Sequence, residues 1–374
     1  MDLVLTEEET MLQQAAKDFV TSRSPVSRVK KTFEKREGYS PELWKEMAKL
    51  GWLGLTIGEK SGGAGLGHRY LGLVLEELGK GLVPEPVVST LLLGAFAIES
   101  GGSDAAKSEH LPAIAAGETI VALAHQERRA RWALAAVDAT ADPSAGGYVL
   151  RGEKVHVMDG TLADFFVVSA RASDGVALLL VPATAKGVRA DAESRIDGRS
   201  CATVRLDAVT VSRDARLDAP ESGLGLLERV VDAGTIGLSA EMLGGMSAAF
   251  AMTLEHLKTR VQFGVPIGSF QALQHRAARL YVETQLARSA VMYAGRVQDG
   301  LDLTASVARA ASVAKAKCSD AFVRIAHEAV QLHGGIGMTE EHDIGLYLKR
   351  ARVLEMTFGD ATYHRDRFAR IEGF

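Results

Sequence analysis

The sequence predicts an α+β fold in which a helical segment, an antiparallel sheet and a longer helical segment follow one another along the chain. Three observations carry this. Apolar residues recur at three- and four-residue spacing up to about residue 115. Short β-branched runs divided by turn clusters then take over, and helical spacing returns over long stretches from Gly223. The expected domains are 1–115, helical, 116–218, an antiparallel sheet, and 219–374, a helical bundle.

Thr6 and Glu9 make a capping box ahead of Met11, Leu12, Ala15, Ala16 and Phe19, a spacing that predicts a helix with one buried face. A second helix opens at Ser40-Pro41, with proline at its first position, and stops at Gly51. A third runs through Tyr70 to Leu78, and the pattern continues from Leu91 to Ile98. Strands are expected at Thr119–Ala124, Tyr148–Leu150, Lys154–Val157, Phe165–Ala170, Val176–Val181 and Cys201–Leu206. Turn clusters separate them, among them Asp142 to Gly147 and Ser173-Asp174-Gly175. No long crossover helices intervene, so a doubly wound parallel sheet is excluded. In the last segment Ser269 can cap a helix striped by Phe270, Leu273, Ala277, Leu280, Thr284, Ala287 and Val291, and Val307 to Leu332 makes another. Long antiparallel helices of this kind pack as a bundle.

Composition narrows the function. A chain of 374 residues, 47% hydrophobic and 24% charged, can bury a large core and is neither disordered nor fibrous. A net charge of -4 with no run of Lys or Arg gives no footprint for nucleic acid, which leaves small-molecule chemistry. Cys201 and Cys318 have neither metal nor disulfide spacing and read as small buried hydrophobes. The opening MDLVLTEEET has no basic n-region followed by an apolar core, and no apolar run reaches the roughly 18 residues of a membrane span. A cytoplasmic protein is expected.

Two glycine- or histidine-bearing segments invite a binding reading and do not support it. Ser61 to Gly67 resembles a dinucleotide loop, but no βαβ unit surrounds it. His327-Glu328 with His333 resembles a zinc helix, but the second histidine leaves the face that i, i+4 spacing shares, so no metal is expected. Two other segments carry more. In Arg260 to His275 a helix ends near Arg260, Gly264-Val265-Pro266-Ile267-Gly268 reverses the chain and a new helix begins, so a guanidinium and two helix ends come together, an arrangement suited to a pyrophosphate and equally to an ordinary capped helical hairpin. In Gln331 to Glu340 three glycines within four residues expose backbone amides beside Gln331, more than a helix C-cap needs.

This pair of motifs, at this separation and behind a helix–sheet–helix layout, resembles the acyl-CoA dehydrogenases. The resemblance covers the chain in layout and is most specific in its last third. It implies a C-terminal four-helix bundle, an FAD cofactor and the α,β-dehydrogenation of an acyl-CoA thioester to the enoyl-CoA, with electrons passing to an electron-transferring flavoprotein. It implies that Arg260 contacts the FAD pyrophosphate, that Gln262, Phe263 and Gln271 help hold the flavin, and that Gln331, Gly334 and Gly335 hold the adenosine side. In the family these groups serve the flavin of a neighbouring subunit, so a homo- or hetero-oligomer, a dimer or tetramer, is implied.

The same resemblance leaves the catalytic carboxylate unassigned. The family's usual base precedes a Gly-Thr pair, a register that falls on Phe358 before Gly359; the alternative register, on the first helix of the bundle, falls on Gly234, followed by Thr235. A base must accept the α proton, which neither side chain can do. Asp232 and Asp360 lie near the two positions and are the candidate substitutes, against surface or capping roles. The family's flavin-facing Thr-Glu-Pro segment is represented by Ala124 to Arg129, and its Trp-Ile-Thr-Asn-Gly by His156 to Gly160. Two alternatives therefore stand beside an acyl-CoA dehydrogenase that either has a displaced base or is one subunit of a heteromeric assembly that supplies one: a non-catalytic, flavin-completing subunit of an α2β2 enzyme, and a related flavin oxidase or monooxygenase.

Overall fold

Helices open the chain in the computed structural model, which describes residues 4–35, 38–217 and 222–374. The expected boundary at 218/219 lies outside these residues, as do the first three of the opening segment. α1 (Glu7–Arg23) begins at the capping box: Thr6 N–H donates to Glu9 Oε2 at 2.8 Å and Glu9 N–H to Thr6 Oγ1 at 3.2 Å. Its buried face is turned from the one expected. Ala16, Phe19 and Val20 are buried, whereas Met11 is 67% exposed. α2 (Val26–Lys35) follows and was not anticipated, although Pro25 and the Val26–Val29–Phe33 spacing signal it. α3 (Pro41–Lys49) has Ser40 as N-cap and ends before Gly51, whose φ of 78° needs no side chain. α4 (His68–Lys80), a π-helical stretch (Val88–Ala95), α5 (Phe96–Gly101) and α6 (Asp104–Ala115) complete the region.

Among the described residues eight strands form one sheet: β1 (Val121–Ala124), β2 (Thr140–Ser144), β3 (Gly147–Met158), β4 (Phe165–Ala172), β5 (Gly175–Pro182), β6 (Val188–Ala192), β7 (Cys201–Ser212) and β8 (Arg216–Leu217). Their order is β6-β7-β3-β2-β4-β5-β8, with β1 beside β4. Pairing is antiparallel except that β1, and one residue pair of β2, run parallel to β4. The two expected strands Tyr148–Leu150 and Lys154–Val157 are one strand, interrupted in register between Leu150 and Gly152 and again between Lys154 and Val157. Asp142-Pro143-Ser144, expected as turn, belongs to β2. Beyond Thr140, β2 pairs only with β3, so the proline interrupts no hydrogen bond on its other side. β6 was not anticipated, although Val188, Ala190 and Ala192 alternate with Arg189 and Asp191; its side chains are exposed or half-buried.

The last region holds α7 (Gly223–Thr259), a two-stranded hairpin of β9 (Val261–Gln262) and β10 (Val265–Pro266), α8 (Gln271–Gln298), α9 (Val307–His333), α10 (Ile344–Met356) and α11 (Ala361–Glu372). α11 is a helix beyond the four expected. Ser269 does not cap α8: its hydroxyl donates to Pro266 O at 2.8 Å, and the N-cap position is Phe270, without a side-chain bond.

The chain divides into two units. One comprises Met1–Lys31, Arg69–Val83 and Thr235–Phe374. There α4 and α7 approach so closely that a Cβ on Gly79 would lie 2.2 Å from Glu241 O, and one on Gly244 1.9 Å from Glu76 O. The approach is flanked by ion pairs: Glu241 with Arg350 of α10 at 2.8 Å and Glu76 with Arg288 of α8 at 2.9 Å. The other unit comprises Thr32–His68 and Pro84–Gly234. One face of its sheet forms a core cluster in which Leu150, Val157, Phe166, Val168, Leu179 and Val204 are fully or almost fully buried, and Val121, Val167 and Leu178 on the other face are buried too. In this unit the loop Ser61–Gly67 spends its amides on its own chain: Ala64 N–H on Gly54 O, Gly65 N–H on Ile57 O and Leu66 N–H on Leu55 O, each at 2.8 Å. It is a folded turn with no free amides aimed at a phosphate.

Candidate functional site

In the helical unit the two glycine-bearing motifs come together. α7 ends at Thr259, and the β9–β10 hairpin turns on Phe263 and Gly264, whose φ values of 54° and 81° are the left-handed pair that a two-residue hairpin requires. The turn leaves Phe263 91% exposed, against the edge of Phe270 at 6.0 Å. Ile267 N–H donates to Arg260 O at 2.8 Å, closing the loop. Arg260, Gln262 and Gln271 are exposed, and among the described residues the Arg260 guanidinium has no hydrogen-bond or ion-pair partner.

α9 ends at His333, and Gly334 turns the chain with φ 65° while its N–H donates to Gln331 O. Nothing lies within 4 Å of where a Cβ on Gly334 or Gly335 would sit, so their backbone is open to a ligand. His333 joins the two motifs: its ring stacks on His256, in the last turn of α7, at 4.4 Å, and meets His342 at 4.4 Å. Burial holds His256 and His333 below the usual imidazole range, and neighbouring cationic groups add to this. His333 Nδ1 donates to Ala329 O at 2.7 Å, which leaves Nε2 as an acceptor, buried and without a hydrogen-bond partner among the described residues. A free guanidinium and open glycine backbone fit the phosphates of a dinucleotide such as FAD, whereas the buried His333 Nε2, an acceptor, offers a phosphate no donor. The resemblance assigned these motifs; it missed the histidines that bring them together.

The base register lies in the same unit. Phe358 is buried, with φ 59°, and Gly359 follows with φ 116°. The turn is held through its carbonyls. Lys315 Nζ, fully buried, donates to Gly359 O at 2.6 Å, Glu355 O at 3.0 Å and Ser319 Oγ at 3.2 Å. His364 Nε2 donates to Phe358 O at 3.1 Å. Burial pulls Lys315 down to about 7 and, with Lys315 and Arg367 nearby, His364 down to about 3. Asp360 is the N-cap of α11, accepting from Tyr363 N–H at 2.8 Å. The carboxylate thus has the capping role set against its candidacy as base. Lys315 escaped the sequence reading, though a lysine on the stripe of Ala311, Ala314, Cys318 and Phe322 was a legible signal.

In the sheet unit, Asp232 is buried and engaged, and Gly234 is buried. The segment after β1 is tied to the sheet by Glu127, whose carboxylate accepts from Lys154 Nζ at 2.5 Å and from the amides of Asp138 and Ala139 at 2.7 and 3.0 Å. Burial opposes ionisation of Glu127, but these donors outweigh it and hold the carboxyl below its usual range. Burial lowers Lys154, and beside that ammonium His125 is held down at about 4 by burial first. In the second segment His156 and Asp159 adopt left-handed backbone, φ 55° and 56°. Asp159 accepts from Ser89 Oγ at 2.6 Å, and His156 meets Glu193 at 2.6 Å. Both segments are held to their own fold by polar side-chain contacts.

Among the described residues no helix is long and apolar enough to cross a membrane. The chain matches the acyl-CoA dehydrogenase N-terminal domain over residues 6–118, the middle domain over 122–209 and the C-terminal domain over 221–372. It is 31% identical over 370 residues to the acyl-CoA dehydrogenase IpdE2 of Mycolicibacterium smegmatis, covering 98% of this chain and 99% of that one. Among solved structures it is similar to the ChsE4-ChsE5 complex of Mycobacterium tuberculosis, at 27% identity and TM-score 0.91 over all of both chains. It is also similar to a glutaryl-CoA dehydrogenase of Mycobacterium smegmatis in complex with FADH2, at 25% identity and TM-score 0.92 over 99% of this chain and 95% of that one. The chain belongs to the acyl-CoA dehydrogenase family, FAD-dependent oxidoreductases that act on the CH–CH bond of acyl-CoA thioesters.

Proposed function

We propose that this chain is one subunit of a heteromeric acyl-CoA dehydrogenase, completing the flavin site of a neighbouring subunit that supplies the catalytic carboxylate. The observation that carries this reading is Phe358. At the register of the family's base stands a buried aromatic ring, held by the carbonyl contacts of Lys315 and His364. A positioned general base contributes about 10²–10⁴-fold, and a phenyl ring has no lone pair with which to take the α proton. Asp360, spent on its helix cap, does not replace it.

The exposed motifs support the other half of the proposal. Arg260 would meet the FAD pyrophosphate, Gln262, Phe263 and Gln271 the flavin, and Gln331, Gly334 and Gly335 the adenosine side. Exposure of these groups fits a partner's cofactor better than one enclosed by the same chain. When bound, FAD supplies the acceptor for the β hydride. The similarity to a two-component assembly, the ChsE4-ChsE5 complex, is in keeping with this. The reduced flavin would pass its electrons to an electron-transferring flavoprotein, in the cytoplasm.

The test is purification of the chain alone and co-expressed with a candidate partner dehydrogenase. The expected result is little flavin alone, and a yellow hetero-oligomer that bleaches anaerobically on addition of an acyl-CoA. A homo-oligomer with full flavin occupancy that bleaches without a partner overturns the proposal.

A further inference from the structure

We propose that His156, Glu193 and Cys201, in the sheet unit, form a binding site for one divalent cation of the zinc class. His156 Nδ1, a Glu193 carboxylate oxygen and Cys201 Sγ all lie within 4.8 Å of one another. Glu193 Oε2 is the hub, 2.6 Å from His156 Nδ1 and 3.7 Å from Cys201 Sγ. Around a tetrahedral zinc ion, with bonds of about 2.0–2.3 Å, donor atoms stand about 3.3–3.6 Å apart. The Sγ–Oε2 pair is already near that separation, and the imidazole completes the set by moving about an ångström. His156 has that freedom, because its side chain is largely exposed.

The other two donors are fixed. Cys201 begins β7 and is buried, and Glu193 Oε1 accepts from Thr203 Oγ1 at 2.5 Å and His156 N–H at 3.1 Å. Those bonds occupy Oε1 and orient Oε2, the arrangement by which an outer shell presents a metal ligand. Charge is complementary. Burial pushes the Cys201 thiol up to about 11, an effect that Arg195, paired with Asp197 at 3.3 Å, opposes from beside the sulfur, so the incoming dication itself displaces the proton and then meets two negative charges, Glu193 and the Cys201 thiolate. On binding, the metal–sulfur bond replaces S–H and that proton leaves to solvent, while the imidazole proton moves from Nδ1 to Nε2. One thiolate, one imidazole and one carboxylate select zinc-like ions over magnesium or calcium. Glu193 and Cys201 also line a cavity of about 370 Å³ with Thr161, Ser194 and Ser200, which leaves room for a fourth ligand, a water or small anion.

The test titrates the chelator-treated full chain with Co²⁺ as probe. One equivalent should bind with a near-ultraviolet thiolate-to-cobalt charge-transfer band that Zn²⁺ abolishes and Mg²⁺ does not. Cys201→Ala should remove the band, and His156→Asn, which tolerates the left-handed backbone, should weaken binding at least about 10-fold. Circular dichroism confirms that both variants fold. Absence of the band, or its survival unchanged in either folded variant, overturns the proposal, and neither result bears on the heteromeric reading above.

Discussion

Lys315, shut away from solvent in α9, donates at 2.6 Å to the carbonyl oxygen of Gly359, 44 residues further along the chain. The contact explains how a turn with positive φ at both Phe358 and Gly359 persists: the buried Lys315 nitrogen, also bonded to Glu355 O and Ser319 Oγ, fixes the carbonyls around the turn.

Lys315→Met keeps the stem and removes the donors, orphaning two carbonyls. The expected loss is about 1–3 kcal/mol in urea denaturation followed by circular dichroism. A pH signature accompanies it. The folded-state lysine sits at about 7 and its ordinary value is 10.5, so between pH 7 and 9 the unfolded chain binds more protons and stability rises with pH. The variant should lack that rise. An equal slope in both proteins would show that Lys315 does not titrate in this window.

Arg260→Ala should lower flavin occupancy of the assembled enzyme about 10–100-fold in affinity, the worth of a charge-assisted contact to phosphate. The residue is exposed, so folding is not at stake. The ratio of flavin to protein absorbance reads the effect; unchanged occupancy would detach Arg260 from the cofactor.

Glu127→Gln removes the anion beside Lys154, whose side chain is fully buried. Breaking one side of a buried pair costs about 3–5 kcal/mol, and adding Lys154→Met should recover much of it, because the uncompensated charge is then gone. The three tryptophans, Trp44, Trp52 and Trp132, all belong to the sheet unit, so their fluorescence reports the unit concerned. A double variant no more stable than Glu127→Gln would refute the ion-pair account.

What could be read from the sequence was local. The Thr6–Glu9 box, Ser40-Pro41 and Gly51 act within one turn of chain, and each stands where its chemistry puts it. The reversal after Arg260 was legible, but it was expected at Gly264 to Gly268, whereas the chain turns on Phe263-Gly264 and Val265-Pro266 already belong to β10. The two register shifts of β3 were not legible; at the first, Gly152, with φ 145° and Ala139 Cβ 2.6 Å from where its own Cβ would be, answers to the segment just before β2. Lys154 meets Glu127 across 27 residues and His156 meets Glu193 across 37, separations that no motif spacing encodes. The site was visible where backbone conformation carries it and hidden where distant side chains converge.

Acid should weaken the fold earlier than carboxylates alone require. His364 is held at about 3 and His125 at about 4, chiefly by burial, against an ordinary value of 6.5. As pH falls through 6.5 the unfolded chain takes up protons that the folded chain refuses, so stability present above 6.5 is lost progressively toward pH 4. His364→Gln can keep the donor to Phe358 O while removing the titrating ring. Its unfolding midpoint in urea, measured at pH 7.5, 6.5 and 5.5, should fall less steeply than that of the unaltered chain. A slope that matches the parent over this range would mean that His364 is not neutralised by folding, and that the Phe358–Gly359 turn is held by Lys315 without a neutral imidazole beside it.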